Sequence, residues 1–179
     1  MKIVKIILLT TWTIAFYGFV GYTLYGYFTQ PVGSISLVQV IPPTVNETPK
    51  LTPPTVDELL RLVNEERAKV GVAPLTIDTR LNQSAQFKAD DMFTNIYFNH
   101  VDSSGKHGYS YVYDYAPGLC SIASENITDN TTIESNTSKQ AIYNWVNSEP
   151  HYKAMINPNY TLTGFGVSGT KIVEHFCQT

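Results

Sequence analysis

The sequence contains little charge, and that charge is unevenly placed. Charged residues make up 15% of the 179 residues, and no Asp, Glu, Lys or Arg occurs between Lys5 and Glu47. The formal net charge of −3 leaves no basic excess, which excludes a dedicated nucleic-acid-binding protein with a basic face. Only two cysteines are present, too few for a scaffold held together mainly by disulfides. An apolar content of 43% excludes a fully disordered chain.

Two hydrolase motifs are also absent. The sequence has no His-Glu-x-x-His, the helical motif that binds zinc in many metallopeptidases. The segment Gly108-Tyr109-Ser110-Tyr111 lacks the closing glycine of the Gly-x-Ser-x-Gly turn that presents a nucleophilic serine. These absences favour binding over hydrolysis as the function of the protein.

The charge-free stretch begins with a long apolar run, Ile6–Phe28. As a helix it would extend about 34 Å, enough to cross a hydrocarbon core of about 30 Å. Lys2 and Lys5 precede the run, and no cation follows it until Lys50. The positive-inside rule then places the N-terminus in the cytoplasm and the rest of the chain outside. We therefore predict a transmembrane signal-anchor over residues 1–28.

A cleaved signal peptide is the alternative to this anchor. Such a peptide has an apolar region of about 7–15 residues that ends at a small-x-small cleavage site. Here the run is longer and ends in aromatic residues at Tyr25, Tyr27 and Phe28, so we favour the anchor. The anchor makes the cell membrane a partner of residues 6–28, whereas cleavage would release a secreted domain.

A linker and one domain follow the anchor. Residues 29–54 contain six prolines among Thr, Val and Gly, a composition typical of a semi-stiff extended spacer. Helical periodicity begins with the capping box Thr55-x-x-Glu58, which marks a helix start. The domain is therefore predicted over residues 55–179, long enough to bury a core of its own.

The apolar pattern of the domain predicts both helices and strands. The predicted helices span 55–71, 79–97, 108–115 and 138–148, with a helical turn over 151–156. The predicted strands span 121–127, 162–168 and 171–177, the last two joined by a tight turn at Gly169-Thr170. This order predicts an α/β domain with helices packed on a small, mainly antiparallel sheet.

The second helix is predicted to have one apolar face, with Lys88 largely off it. The residues of that face are Leu81, Ala85, Ala89, Met92, Phe93 and Ile96. The cysteines are Cys120 and Cys177, and an even pair in an exported protein indicates one disulfide. The alternative is two separate buried thiols.

Two histidines and one glutamate stand at or near the ends of predicted elements. His100 follows the second helix, Glu125 lies on the first strand, and His151 follows the last long helix. Residues of these types that meet in one cleft can hold a divalent metal such as zinc or act as acid and base. The alternative is that each histidine is a surface or capping residue. We interpret the other two histidines, His107 and His175, as structural or solvent-facing.

Several short motifs follow one another in an order that resembles a known family. They are Leu62-Val63-Asn64-Glu65-Glu66-Arg67, Gly71-Val72-Ala73-Pro74-Leu75, Phe98-x-His100, Glu125-Asn126-Ile127, Trp145-x-x-Ser148-x-x-His151, Ile156-Asn157-Pro158 and Gly164-Phe165-Gly166-Val167. Together they resemble the CAP superfamily, also called SCP or cysteine-rich secretory and pathogenesis-related domains, in its short bacterial form. The resemblance covers residues 56–177.

The resemblance implies a three-layer α-β-α sandwich with a wide surface cleft that carries two histidines and two acidic residues. Carried over, the histidines are His100 and His151, and the first acid is Glu125. The second acidic position is Ser148 in this sequence, and Glu149 follows it. We predict all five residues as cleft or ligand-binding residues, and His100 and His151 as the metal ligands.

The function implied by the resemblance is that of an extracellular, membrane-anchored binding module. Its ligand would be a lipid, a glycan or a protein, with no required cofactor, although the two histidines could take a divalent metal such as zinc. The alternative is a metal-assisted hydrolase or peptidase that uses His100, Glu125 and His151.

Overall fold

The structure, a computed structural model, describes residues 52–132 and 135–179. The predicted anchor over 1–28 and most of the predicted linker lie outside the described residues. Within the described part of the chain, no helix has the length and apolarity needed to cross a membrane.

The described residues form five α-helices and a four-stranded sheet. The helices are α1 (Val56–Lys69), α2 (Thr79–Thr94), α3 (Tyr111–Tyr115), α4 (Ser138–Val146) and α5 (Glu149–Met155), and a 3-10 turn covers Gly108–Ser110. The strands are β1 (Thr76–Ile77), β2 (Ile122–Asp129), β3 (Leu162–Ser168) and β4 (Lys171–Gln178). The predicted mixed α/β architecture is confirmed, and only the two-residue β1 was too short for its pattern to reveal.

The strands are arranged in the order β1-β3-β4-β2. β1 runs parallel to β3, whereas β3, β4 and β2 pair antiparallel, so the predicted mainly antiparallel sheet is confirmed. β2 is an edge strand, and its register places Glu125 opposite His175 on β4. Facing residues of an antiparallel pair point to the same side of the sheet, so these two side chains meet.

Helices cover both faces of the sheet. On one face, α2 lies so close to β3 that a Cβ at Gly164 or Gly166 would overlap the α2 backbone. The other face carries the larger apolar core, to which α1, α4 and α5 contribute residues such as Leu59, Trp145 and Met155. The edge strand β2 therefore has one helical layer on each of its faces: Ile127 packs against Ala85 and Ala89 of α2, and Asn126 contacts His151 of α5.

A buried arginine fixes the loops on the larger core. Arg67, near the end of α1, is 1% exposed, and its guanidinium donates to four backbone carbonyls. The acceptors are Ala73 O at 2.7 Å, Met155 O at 2.7 Å, Asn157 O at 3.0 Å and Tyr160 O at 3.0 Å. Because five N–H donors in a fixed plane can satisfy several carbonyls at once, Arg67 joins α1 to the segment that follows α5.

The predicted disulfide is confirmed. Cys120 and Cys177 are bonded, with their Cα atoms 5.4 Å apart, so the alternative of two free thiols is wrong. The bond joins the residues just before β2 to the end of β4 and closes a loop of 57 residues. It thereby fixes one end of the strand pair that carries Glu125 and His175.

The prediction for the second helix was wrong at its C-terminal end. α2 ends at Thr94 rather than at residue 97, and Phe93 and Ile96 are 52% and 90% exposed. Two backbone bonds close the helix, from the N–H groups of Tyr97 and Ile96 back to Met92 O and Phe93 O. This is the Schellman arrangement, in which the residue after the cap takes a left-handed conformation.

Lys88 was expected largely off the apolar face of α2, yet its side chain is fully buried. Its Nζ donates to the hydroxyl of Tyr97 at 3.0 Å, and that hydroxyl donates to Asp91. A lysine can be buried when its ammonium keeps polar partners, and apolar periodicity alone does not reveal such partners.

Candidate functional site

Glu125 is the centre of the polar cluster at the sheet edge. Its side chain is 2% exposed, and each carboxylate oxygen faces a histidine. His100 Nδ1 lies 2.7 Å from Oε1, and His175 Nε2 lies 3.1 Å from Oε2. Since an ionised carboxylate only accepts hydrogen bonds, both ring nitrogens must carry protons. We use the name edge site for Glu125 and the two histidines that the sequence predicted with it, His100 and His151.

A buried hydroxyl completes the row of polar groups behind Glu125. Ser84 on α2 is fully buried, with its Oγ 2.7 Å from His175 Nδ1. Ser84 Oγ also donates to Leu81 O at 3.0 Å in the preceding turn of α2, so this hydroxyl joins the helix backbone to the His175 ring. The hydrogen bonds therefore run without a gap from α2 through His175 and Glu125 to His100.

Glu125 is held in its charged form by these partners. Burial alone would raise the pKa of its carboxyl, but the hydrogen bonds from His100 and His175 outweigh burial and leave the pKa below its ordinary value. Coulombic attraction to His175 and to the buried Lys88 acts in the same direction. The edge site therefore contains a buried negative charge at neutral pH.

A short loop brings His100 to Glu125. The loop folds back on itself through a bridge between Val101 and His107, and Gly108 N donates to His100 O at 2.7 Å. A Cβ on Gly108 would overlap the Glu125 carboxylate. A glycine is therefore needed where this loop meets the strand.

The third residue of the edge site comes from the other helical layer. Asn126, adjacent to Glu125 on β2, points to the opposite face and donates to the backbone O of His151 at 3.0 Å. The rings of His100 and His151 then lie side by side, with centroids 6.1 Å apart. The structure thus brings together His100, Glu125 and His151.

His151 differs from His100 in its exposure and partners. Nδ1 of His151 is buried and has no hydrogen-bond partner among the described residues. Burial, assisted by the nearby His100, lowers the pKa of His151 below its ordinary value of 6.5. The side chain of His100 is 46% exposed and presents the edge site to solvent.

The last two predicted cleft residues lie at the start of α5. Ser148 is the N-cap of that helix, although its side chain makes no capping hydrogen bond. Glu149 directs its side chain, 79% exposed, to Lys153 Nζ at 2.6 Å. Their role in ligand binding stays a prediction.

Sequence reasoning missed the contribution of Ser84, Lys88 and His175. His175 was interpreted only as structural or solvent-facing, yet it is fully buried and bonds to Glu125. The sequence held part of this information, because antiparallel pairing of the two predicted strands can place His175 opposite Glu125. His107, the other unassigned histidine, is exposed and stacks on Tyr109 with ring centroids 5.4 Å apart.

The metal prediction was made for His100 and His151. Among residues 52–132 and 135–179, no group of three or more His, Cys, Asp or Glu side chains is arranged to hold a metal ion. The two-histidine metal site therefore stays a prediction.

Comparison with known proteins identifies the class to which this mixed α/β domain and its edge site belong. Residues 60–177 match the CAP family, described as the cysteine-rich secretory protein family. The chain belongs to this family.

Two similar curated proteins come from Bacillus subtilis strain 168. The uncharacterized protein YkwD is 33% identical over 109 residues, which are 61% of this chain and 40% of the relative. The uncharacterized membrane protein YlbC is 34% identical over 123 residues, which are 68% of this chain and 34% of the relative. The chain thus spans less than half the length of either relative.

Solved structures agree on the fold. An extracellular protein containing an SCP domain from Bacillus anthracis superposes with a TM-score of 0.63 and 25% identity, over 69% of this chain and 40% of that chain. An outer surface protein of Borrelia burgdorferi superposes with a TM-score of 0.60 and 20% identity, over 68% of this chain and 90% of that chain. The domain is therefore a bacterial-type CAP domain in sequence and in fold.

Proposed function

We propose that this CAP domain is a non-enzymatic binding module on the outer surface of the cell, with the edge site in its ligand cleft. The supporting observation is the buried charge of Glu125, which two imidazoles satisfy while one of them, His100, remains exposed. An imidazole fixed in this way offers a ligand one nitrogen of defined orientation, Nε2, which accepts a hydrogen bond in the neutral ring and donates one in the protonated ring. Such a group suits the hydroxyl or phosphate oxygens of a glycan or lipid head group, or the amides of a protein.

Binding fits the contacts of Glu125 better than catalysis does. A general base must accept a proton from a reacting group, but both oxygens of Glu125 already accept from imidazoles. Ser84 is the hydroxyl at the far end of this row, and it is fully buried, out of reach of a substrate.

The membrane location is part of the same proposal. We place residues 6–28 in the membrane, the N-terminus in the cytoplasm and the domain on the extracellular side. The descriptions of two similar proteins support this placement, since one is named a membrane protein and the other an extracellular protein.

A metal-assisted hydrolase is the second candidate, and one observation favours it. A histidine that binds metal commonly donates its other ring N–H to a carboxylate, as His100 does to Glu125. His100 and His151 would hold the metal, with Glu125 as the residue that orients His100. A bound zinc ion would supply Lewis-acid activation of a carbonyl or a water.

The binding proposal is tested with the full-length chain on an array of bacterial surface glycans and phospholipids. We expect His100→Ala to weaken binding of the recognised component at least tenfold, because the variant removes the exposed imidazole. His107→Ala is the matched control, since His107 is exposed but lies outside the edge site, and it should bind like the wild type. Equal binding by both variants would contradict the proposal, and no binding by the wild type would exclude glycans and phospholipids as its ligands.

The same proteins separate the two candidate functions. Zinc calorimetry and turnover of a quenched fluorescent peptide are measured on the wild type, His100→Ala and Glu125→Ala. The binding module predicts no turnover with or without zinc. Zinc-dependent turnover that both substitutions abolish would establish the hydrolase instead.

A further inference from the structure

His175 lies behind the edge site, where a ligand cannot touch it. The residue is fully buried on β4. Its neighbour on β3 is Gly164, where α2 packs so closely that a Cβ would overlap the backbone of Leu81. The ring therefore has a fixed place between α2 and the sheet, and it can act on a ligand only through its hydrogen-bonded neighbours.

The two oxygens of the Glu125 carboxylate are bound from different parts of the chain. His175 Nε2 on β4 lies 3.1 Å from Oε2, and His100 Nδ1 in the loop after α2 lies 2.7 Å from Oε1. The last torsion of a glutamate side chain is soft, so a carboxylate bound at one oxygen can still rotate. With both oxygens bound, rotation would break one of the two bonds. His175 thereby fixes the plane of the carboxylate that His100 contacts.

The ring of His175 is itself held from the opposite side. Ser84 Oγ lies 2.7 Å from its Nδ1 and 3.0 Å from Leu81 O. The Ser84 hydroxyl proton can point to either of these partners. Because Nε2 faces a carboxylate that only accepts, its proton does not depend on that choice. The N–H donor at Glu125 Oε2 is therefore present in both arrangements of the hydroxyl.

His100 differs from His175 because solvent reaches its ring. Its side chain is 46% exposed, so water can hydrogen-bond to it. In a neutral imidazole, the hydrogen bond at one nitrogen decides which nitrogen carries the proton. Among the described residues, Glu125 Oε1 is the side-chain partner of His100, and it places the proton on Nδ1. Nε2 is then left as the acceptor of the neutral ring.

We propose that His175 is a positioning residue of the edge site, which fixes the tautomer of His100 through Glu125 and so decides which atom a ligand meets. This inference rests on the proposed function, in which His100 contacts the ligand. A neutral His100 with an unprotonated Nε2 accepts from a hydroxyl or an amide N–H, whereas the other tautomer would donate to an oxygen. His175 therefore makes hydrogen-bond donors the preferred ligands of neutral His100.

The test compares two substitutions at one position, His175→Gln and His175→Leu. Both remove the imidazole, but glutamine keeps an N–H that can donate to Glu125 Oε2, and leucine does not. The full-length chain, with isotope-labelled histidine rings, is studied by NMR in detergent micelles at mildly alkaline pH, where an ordinary imidazole is neutral. We expect His100 to carry its proton on Nδ1 in the wild type and in His175→Gln. In His175→Leu it should show both tautomers.

Binding to the glycan and phospholipid array is measured on the same three proteins. His175→Leu should bind about tenfold more weakly than the wild type, comparable to the loss of one hydrogen bond, and His175→Gln should stay within about twofold. Circular dichroism confirms that each variant is folded.

Three results would overturn the positioning role. A His100 proton on Nε2 in the wild type would do so without any variant, whether or not His175→Leu folds. The same single tautomer in all three proteins would show that Glu125 alone is sufficient. Equal changes in both variants would show an effect of lost packing. The expected tautomers without ligand binding by the wild type would support the role of His175 and count against glycans and phospholipids as the ligands of the proposed function.

Discussion

Two glutamates are buried on neighbouring strands of the sheet, and their surroundings are opposite in kind. Glu125 on β2 points towards α2 and has a histidine at each oxygen. Glu174 on β4 points into the larger core, where Thr163 Oγ1 donates to Oε1 at 3.1 Å and Oε2 has no partner among the described residues. Burial is similar for the two residues, so their partners decide their charge.

The difference shows in the two pKa values. The pKa of Glu125 is lowered, since the hydrogen bonds from two imidazoles exceed the cost of burial. Burial raises the pKa of Glu174 well above its ordinary value, and neither Thr163 nor the attraction of Arg67 offsets it. Glu125 is therefore an ionised group with a route to solvent through His100, whereas burial favours the protonated form of Glu174 in the core.

The largest effect is expected on the Glu174 face. Arg67→Ala removes the donor of four backbone carbonyls and leaves a cavity, so the free energy of unfolding should fall by about 4 kcal/mol. Urea denaturation followed by circular dichroism measures the loss. Arg61→Ala is the control, because Arg61 forms only exposed ion pairs with Glu58 and Glu65, and its midpoint should hardly move. Equal shifts for both variants would contradict the structural role of Arg67.

A smaller effect is expected on the Glu125 face. His175→Ala leaves one oxygen of a buried carboxylate without its partner and opens a cavity beside Ser84, which should cost about 3 kcal/mol of stability. His107→Ala should change stability little, since His107 is exposed. The difference between the two urea midpoints thus distinguishes His175 from His107, to which the sequence analysis gave the same interpretation. A double-mutant cycle with Glu125→Gln should show coupling for His175 and none for His107.

The smallest effects should have opposite signs for the same substitution. At neutral pH, Glu125→Gln should lose about 2 kcal/mol because it removes charge-assisted hydrogen bonds. Glu174→Gln should gain about 1 kcal/mol because the amide does not ionise when the chain unfolds. Thermal unfolding at several pH values measures both changes. Destabilisation by Glu174→Gln at neutral pH would show that Glu174 is charged in the fold.

The pH dependence of the same variants follows from the direction of each shift. The folded-state pKa of Glu125 lies below its ordinary value of 4.5, so its contribution to stability is present above pH 4.5 and is lost as the pH falls below it. The folded-state pKa of Glu174 lies above 4.5, so its contribution is present below pH 4.5 and is lost as the pH rises. Glu125→Gln should therefore remove the loss of stability below pH 4.5 that Glu125 causes, and Glu174→Gln should remove the loss above pH 4.5 that Glu174 causes.

Local sequence patterns predicted most helices and strands of the domain correctly, because they reflect interactions between residues that are close in the chain. Thr55 Oγ1 accepts from Glu58 N, which is one of the two bonds of a capping box, and Gly71 takes a φ of +73° just after α1. The turn at Gly169-Thr170 joins β3 and β4 as predicted. Caps, turns and apolar periods act within a few residues, so the sequence carries them directly.

Contacts between distant segments were less accessible from the sequence. His175 reaches Glu125 only through the register of β2 on β4, which long-range packing determines. Lys88 is buried because Tyr97 folds back over α2, and Ile96 ends that helix in a conformation that its residue type disfavours. His100, Glu125 and His151 were grouped through family resemblance, while spacing alone left their convergence open.

The alternation of side chains along β2 limits how the edge site can move. Glu125 holds the loop that follows α2 through its hydrogen bond to His100, and its neighbour Asn126 holds the start of α5 through its bond to His151 O. Two adjacent residues of β2 therefore connect the two helical layers. His100 and His151 form the two sides of the edge site. A ligand cannot move His100 and His151 apart, or turn the His100 ring, without breaking one of these two hydrogen bonds. The site is therefore preset in width, and its selectivity should come from fit rather than from closure.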